Sequence, residues 1–305
     1  MALSVAACYG VFQLAVLGSA TRTVGGGTLL LAVGVGLYFC GPAAVALQLA
    51  YTRSVAALSD AQLGHVVEVA GYTLDPFIEE AVKVAPLLLV GLHVRTRLQW
   101  GLTDYLLLGA AAGAGFGLLE ALMRFGRRAG AALEVPGGWI FPSLSPPYVP
   151  DFGATLGSWL PQPISSSDLF LPSGPDTFHH LVWSAAAGLG VGWLLRERGP
   201  ARFVGVIPVL LVGGDHAAYN FNISLLAYST FGDVLAAPFV AAEPLRWLWP
   251  VLALGVAVWF DLRTLRPGKA EHVHLLLGDR HSADLAALAR YAAIRPPWTT
   301  FIAWR

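Results

Sequence analysis

The chain has 305 residues, of which 56% are hydrophobic and 12% charged, and its formal net charge is zero. An average soluble domain carries about 25% charged residues, so this deficit excludes an ordinary soluble globule and points to lipid. The neutral balance gives no support for a nucleic-acid partner. Cys8 and Cys40 both lie in apolar stretches and indicate neither a disulfide framework nor a thiolate metal site.

A membrane span needs about 20 mostly apolar residues. The first runs over residues 3–19 and has neither a basic start nor a small-residue exit, so it reads as a retained span rather than a cleaved signal. The second covers 28–50. From 52 to 71 the apolar pattern is broken by Arg53, Asp60, His65 and Glu68, which predicts an interfacial helix or a hairpin arm. The third span covers 76–93 and the fourth 104–123. Within the fourth, Gly109, Gly113, Gly115 and Gly117 give the small-xxx-small spacing that lets helix backbones approach closely. No strand precedes this run, so a phosphate-binding loop is rejected.

Residues 124–176 form a long connection with nine prolines and the run Ser165, Ser166, Ser167. Such a loop is read as a lid or binding element, or as a passive cap over one membrane face. The fifth span covers 178–195, the sixth 203–221 and the seventh 245–260. Residues 222–243, interrupted by Asp233 and Pro238, read as a surface or re-entrant segment. The expected fold class is all-α: a polytopic transmembrane helical bundle of about seven spans, with a long Pro-rich loop and a short soluble tail. Residues 1–262 form the membrane domain and 263–305 the tail, where Ser282 caps a short helix over 282–290. His272, His274 and His281 read as solvated tail residues rather than metal ligands. Arg22, Arg95, Arg97, Arg196, Arg198, Arg202, Arg263, Arg266 and Lys269 share one side of this topology, against Arg53, Arg124, Arg127, Arg128 and Arg246 on the other. That bias places the C-terminus in the cytoplasm and the Pro-rich loop outside.

Four polar clusters sit inside apolar helices. Glu79, Glu80 and Lys83 fall within one turn, where Lys83 can reach either carboxylate. Taken alone, they also read as an interfacial ion pair. Phe116 and Glu120 share a face, with Arg124 one turn on as a structural partner for Glu120. His180, Ser184 and Gly188 form a small polar stripe, and histidine is both a common metal ligand and the side chain that titrates near neutrality. His216 and Asn220 share a face behind Gly213 and Gly214, fit to hold a metal, to stabilise an oxyanion, or merely to bond between helices. Glu79, Glu80, Glu120, His180 and His216 on four separate spans would together cost on the order of 10 kcal/mol facing lipid. Convergence in the bundle lets them satisfy one another. A carboxylate with two histidines is also a competent hydrolytic set.

This ordered set resembles the PrsW family of intramembrane proteases, relatives of the type II CAAX prenyl endopeptidases in the wider CAAX-protease and bacteriocin-processing superfamily. The resemblance covers about residues 76–221 and departs at Ala121, where members often carry Asn. It implies an integral protein of the bacterial cell membrane that cleaves a peptide bond of a membrane-anchored protein, as in anti-sigma-factor processing. Glu79 would then be the general base on water and Glu80 would hold its neighbours. Lys83 would balance the carboxylates, Glu120, His180 and His216 would complete the site, and Asn220 with His216 would polarise the scissile carbonyl. Glu120, His180 and His216 make an acceptable three-ligand zinc site. A metal-free glutamate and histidine mechanism is the alternative.

Two other classes fit the same clusters. Intramembrane carboxylates and histidines also build proton relays in transporters, although the two halves of the chain show no convincing repeat. A membrane scaffold that keeps the motifs without turnover is the third reading.

Overall fold

The computed structural model describes residues 1–141, 147–166, 177–224 and 229–271. Its helices are α1 (Ala2–Leu17), α2 (Gly26–Ser59), α3 (Leu63–Tyr72), α4 (Asp75–Leu92), α5 (Val94–Gln99) and α6 (Leu102–Phe125). After them come α7 (Phe152–Leu156), α8 (His179–Arg196), α9 (Val206–Ile223), α10 (Thr230–Ala242) and α11 (Trp249–Glu271). The tail helix expected over 282–290 and the three tail histidines lie outside the described residues.

α6 is the axle of the bundle, buried continuously from Leu102 to Leu118 and packed against α1, α2, α4, α8 and α11. Its glycines make this possible. A Cβ on Gly109 would stand 2.2 Å from the Ser184 carbonyl oxygen, and one on Gly115 would stand 1.9 Å from that of Val33. Backbone therefore rests on backbone where α6 crosses α8 and α2, the close packing that the small-residue spacing predicts. The start of α6 is fixed by two buried carboxylates. Asp261, from α11, accepts from the Leu102 and Thr103 amides at 2.9 and 2.8 Å. Asp104 accepts from the Thr23 amide at 2.6 Å and from the amides of Val24 and Gly101, both at 2.9 Å. The first of these contacts satisfies helix N–H groups that have no partner inside the helix.

Among the described residues, five stretches are long and apolar enough to cross a membrane: Ala2–Ala20, Gly26–Ser59, Leu102–Ala131, Gly199–Ile223 and Thr230–Thr264. The expected spans over 76–93 and 178–195 are helices, α4 and α8, but are not among the five. They carry the polar clusters, and those residues lower their apolar character. Two further expectations change. The second span runs on to Ser59, so Arg53 belongs to it and only α3 is a separate short helix. Residues 230–242, read as a surface or re-entrant segment, are helical and part of the apolar stretch that ends at Thr264.

The Pro-rich connection is more than a loop. Strands β1 (Leu133–Val135), β2 (Gly138–Ile140), β3 (Pro147–Pro150) and β4 (Ser165–Ser166) form an antiparallel sheet in chain order. Trp139 pairs with Glu134 on one side and Val149 on the other. Gln13 of α1 bonds both the Ser158 carbonyl and the Leu160 amide, each at 2.8 Å. The Leu160 carbonyl in turn accepts from the Phe178 amide at 2.8 Å, which sets the start of α8 and with it His180.

Candidate active site

α4 presents Glu79, Glu80 and Lys83, α6 presents Phe116 and Glu120, α8 presents His180 and Ser184, and α9 presents His216 and Asn220. Pro76 in the first turn of α4 starts that helix where its ring costs no hydrogen bond. The turn that follows carries both glutamates inward beside the α8 and α9 histidines.

Glu80 and Lys83 are buried, and Lys83 Nζ donates to Glu80 Oε1 at 2.7 Å. The same ammonium lies 2.9 Å from His180 Nδ1, 3.6 Å from Glu79 Oε2 and 4.1 Å from the centre of the Phe116 ring. An ammonium can only donate, so His180 Nδ1 is the acceptor and its proton is on Nε2. That proton is given to Glu120 Oε2 at 2.6 Å, and Arg124 holds the other oxygen, Oε1, at 2.7 Å.

His216 is the mirror case. Its Nδ1 donates to Glu80 Oε1 at 3.2 Å, leaving the Nε2 lone pair free to face Glu79. Ser184 Oγ donates to Glu80 Oε2 at 3.2 Å, which helps to hold that carboxylate. Each histidine is thus locked into one tautomer by its own carboxylate, the arrangement that orients imidazoles in metal sites. Glu79 is different. Its side chain is 17% exposed against 1% for Glu80, and Gln48 donates to its Oε1 at 3.1 Å. Its Oε2 stands 3.8 Å from His216 Nε2, too far for a direct hydrogen bond.

Among the described residues, Glu79, His180 and His216 form the group that could hold a metal ion, with one ligand atom from each lying within 4.8 Å of the others. The donor types, one carboxylate oxygen and two imidazole nitrogens, suit a catalytic zinc. This group differs from the ligand set expected from the sequence: Glu79 stands in it where Glu120 was expected, and Glu120 accepts the Nε2 proton of His180. His180 Nδ1 has one lone pair, which Lys83 takes in this structure. An ion at that nitrogen would leave Lys83 to its bond with Glu80.

Asn220 lies one turn beyond His216, but its Nδ2 donates to the Gly71 carbonyl at 2.8 Å and so fastens α9 to α3. Sequence reasoning also passed over a second buried group. Asp215 accepts from Arg246 Nε and Nη2 at 3.1 and 3.2 Å, and from Trp183 Nε1 at 2.5 Å. Arg246 Nη1 lies 3.0 Å from His179 Nε2. Asp215 was open to notice, because a carboxylate inside an apolar helix is a functional candidate by default. No spacing could have named Arg246 as its partner.

Residues 26–141 match the model of a known family, described as PrsW family intramembrane metalloprotease. Over those residues the chain is similar to the PrsW family. No curated protein and no solved structure matches the chain. The PrsW match includes Glu79, Glu80, Lys83 and Glu120, and the structure brings His180 and His216 to them from beyond it. The family matched is one of intramembrane metalloproteases, and the apolar stretches make the chain an integral membrane protein.

Proposed function

We propose that this protein is an endopeptidase that hydrolyses a peptide bond of a membrane-anchored protein substrate. One observation carries the reading: two histidines, each fixed by its own carboxylate, each bring a ligand atom within 4.8 Å of a third, partly exposed carboxylate, Glu79. A proton relay for transport or an inert scaffold gives no reason for that double fixation around Glu79.

With an ion bound, Glu79, His180 Nδ1 and His216 Nε2 would hold it. The ion would supply polarisation of the scissile carbonyl and a more acidic water. The chain's own residues do the rest. Glu80 and Glu120 keep both imidazoles in the required tautomer, Lys83 balances the charge of Glu79 and Glu80, and Ser184 steadies Glu80. With the oxygen that does not hold the ion, Glu79 takes a proton from water as the water oxygen adds to the carbonyl carbon, and passes it to the amine nitrogen as the C–N bond breaks. Asn220 can meet the carbonyl oxygen with its second N–H.

The Lys83 contact with His180 Nδ1 favours a second arrangement of the same residues without a metal. There Lys83 is the resident cation, Glu79 activates water directly, and His216 with Asn220 stabilises the oxyanion. The orientation, with the C-terminus in the cytoplasm of a bacterial cell and the sheet-bearing connection outside, is part of the same proposal.

Metal content of purified protein beside His180→Ala and His216→Ala, with cleavage of a reporter membrane substrate in parallel, separates the cases. About one zinc per chain, lost together with cleavage in both variants, is the result expected for the metal site. Cleavage that depends on Glu79 without metal would establish the second arrangement. Proton flux in vesicles with no cleavage would overturn both.

A further inference from the structure

The Asp215–Arg246 pair is buried beside the site and takes no part in the chemistry described above. Such a pair is a poor source of stability, since well-packed apolar residues of similar volume serve as well or better. Its geometry suggests another use. Asp215 Oδ2 is shared between Arg246 Nε and Trp183 Nε1, so the single donor of the indole is anchored to a carboxylate that Arg246 itself holds at two points. The indole then lies flat on His216, with ring centres 4.1 Å apart and 18° between planes. His180 closes the neighbouring side at 5.3 Å, nearly perpendicular. His216 is held at Nδ1 by Glu80, and a ring on one hydrogen bond can still swivel about it. The flat wall of Trp183 removes that freedom and so decides where Nε2 points.

We propose that Trp183, anchored by Asp215 and Arg246, is the positioning residue for His216. The inference rests on the reading of the site given under Proposed function. Arg246 lies between α10 and α11, so this anchor ties the catalytic helices to a segment far outside the PrsW match.

The decisive variant is the double change Asp215→Leu with Arg246→Met. It removes both buried charges together and leaves the indole without its acceptor. A merely structural pair predicts a folded protein with wild-type turnover. The positioning role predicts a fall in kcat of about tenfold or more with KM within about twofold, the size seen when outer partners of a ligand histidine are lost. A second readout needs neither substrate nor metal. In protein labelled with 13C-histidine in detergent micelles, the His216 ring resonance, identified by its absence in His216→Asn, carries the ring-current shift of the stacked indole. It moves or broadens in the double variant, and Arg246→Lys on its own, which can still reach Asp215, keeps it near the wild-type position. An unmoved His216 resonance overturns the proposal, and so does unchanged kcat in the folded variant. If the wild-type protein cleaves no substrate, the reading of the site fails and the resonance alone decides the positioning role. Should the double variant not fold, Asp215→Val with Arg246→Leu, which again removes both charges, is read by the same resonance.

Discussion

Removing the Lys83 ammonium is the sharpest test of how the site is balanced. Lys83 is fully buried against Glu80, within 3.6 Å of Glu79, and takes the lone pair of His180 Nδ1. In Lys83→Met the stem remains, but the buried Glu80 loses its cation. Breaking a buried pair from one side costs about 3–5 kcal/mol, because the surviving charge is left uncompensated. At roughly 2–4 °C per kcal/mol for a domain of this size, the unfolding midpoint should fall by about 6–20 °C. His180 Nδ1 is simultaneously released, so added zinc meets a group with no competing ammonium. Zinc should therefore raise the midpoint of the variant more than that of the wild type. Thermal unfolding in micelles, with chelator and then with zinc, measures both terms. A midpoint within about 2 °C of wild type under chelator would refute the buried-pair argument. Equal zinc responses of the two proteins would refute the competition at His180.

Glu120→Gln keeps the shape beside His180 but weakens the acceptor of its Nε2 proton, so reporter cleavage should fall about 10–100-fold and rise again in Glu120→Asp only if the bond is remade. Gly115→Ala puts a Cβ 1.9 Å from the Val33 carbonyl oxygen, so α2 and α6 must part. A loss of about 1–3 kcal/mol in micelle unfolding is expected there, and an unchanged midpoint would contradict the crossing. Asp261→Ala leaves the Leu102 and Thr103 amides without their partner, and should cost about 0.5–2 kcal/mol in the same assay.

The polar clusters of the candidate site were legible in the chain because helical spacing is local. Glu79, Glu80 and Lys83 share a turn whatever surrounds them, and polar residues on four apolar helices have nowhere better to go than one another. The deficit of charge likewise settled the membrane setting, and the α6 glycines foretold close crossings. Span counting by apolar content alone falls short where polar clusters interrupt a helix. α4 and α8 are helices, yet the very residues that make the site dilute their apolar pattern. Residues 124–176 showed prolines and no long periodic run, so strands of two to four residues that exist only by pairing with each other left no mark.

The sequence by itself determined an apolar helical protein whose ordered glutamate, lysine and histidine clusters resemble those of the PrsW family. Tertiary structure alone decided which carboxylate serves which histidine. Glu80 reaches His216 across 136 residues, Glu120 reaches His180 across 60, and Arg246 reaches Asp215 across 31. Those pairings depend on where helices cross and how each is rotated about its axis, and these are set by glycine contacts and caps remote from the site. Spacing within one helix reveals which face a side chain lies on. The packing of whole helices determines what that face meets.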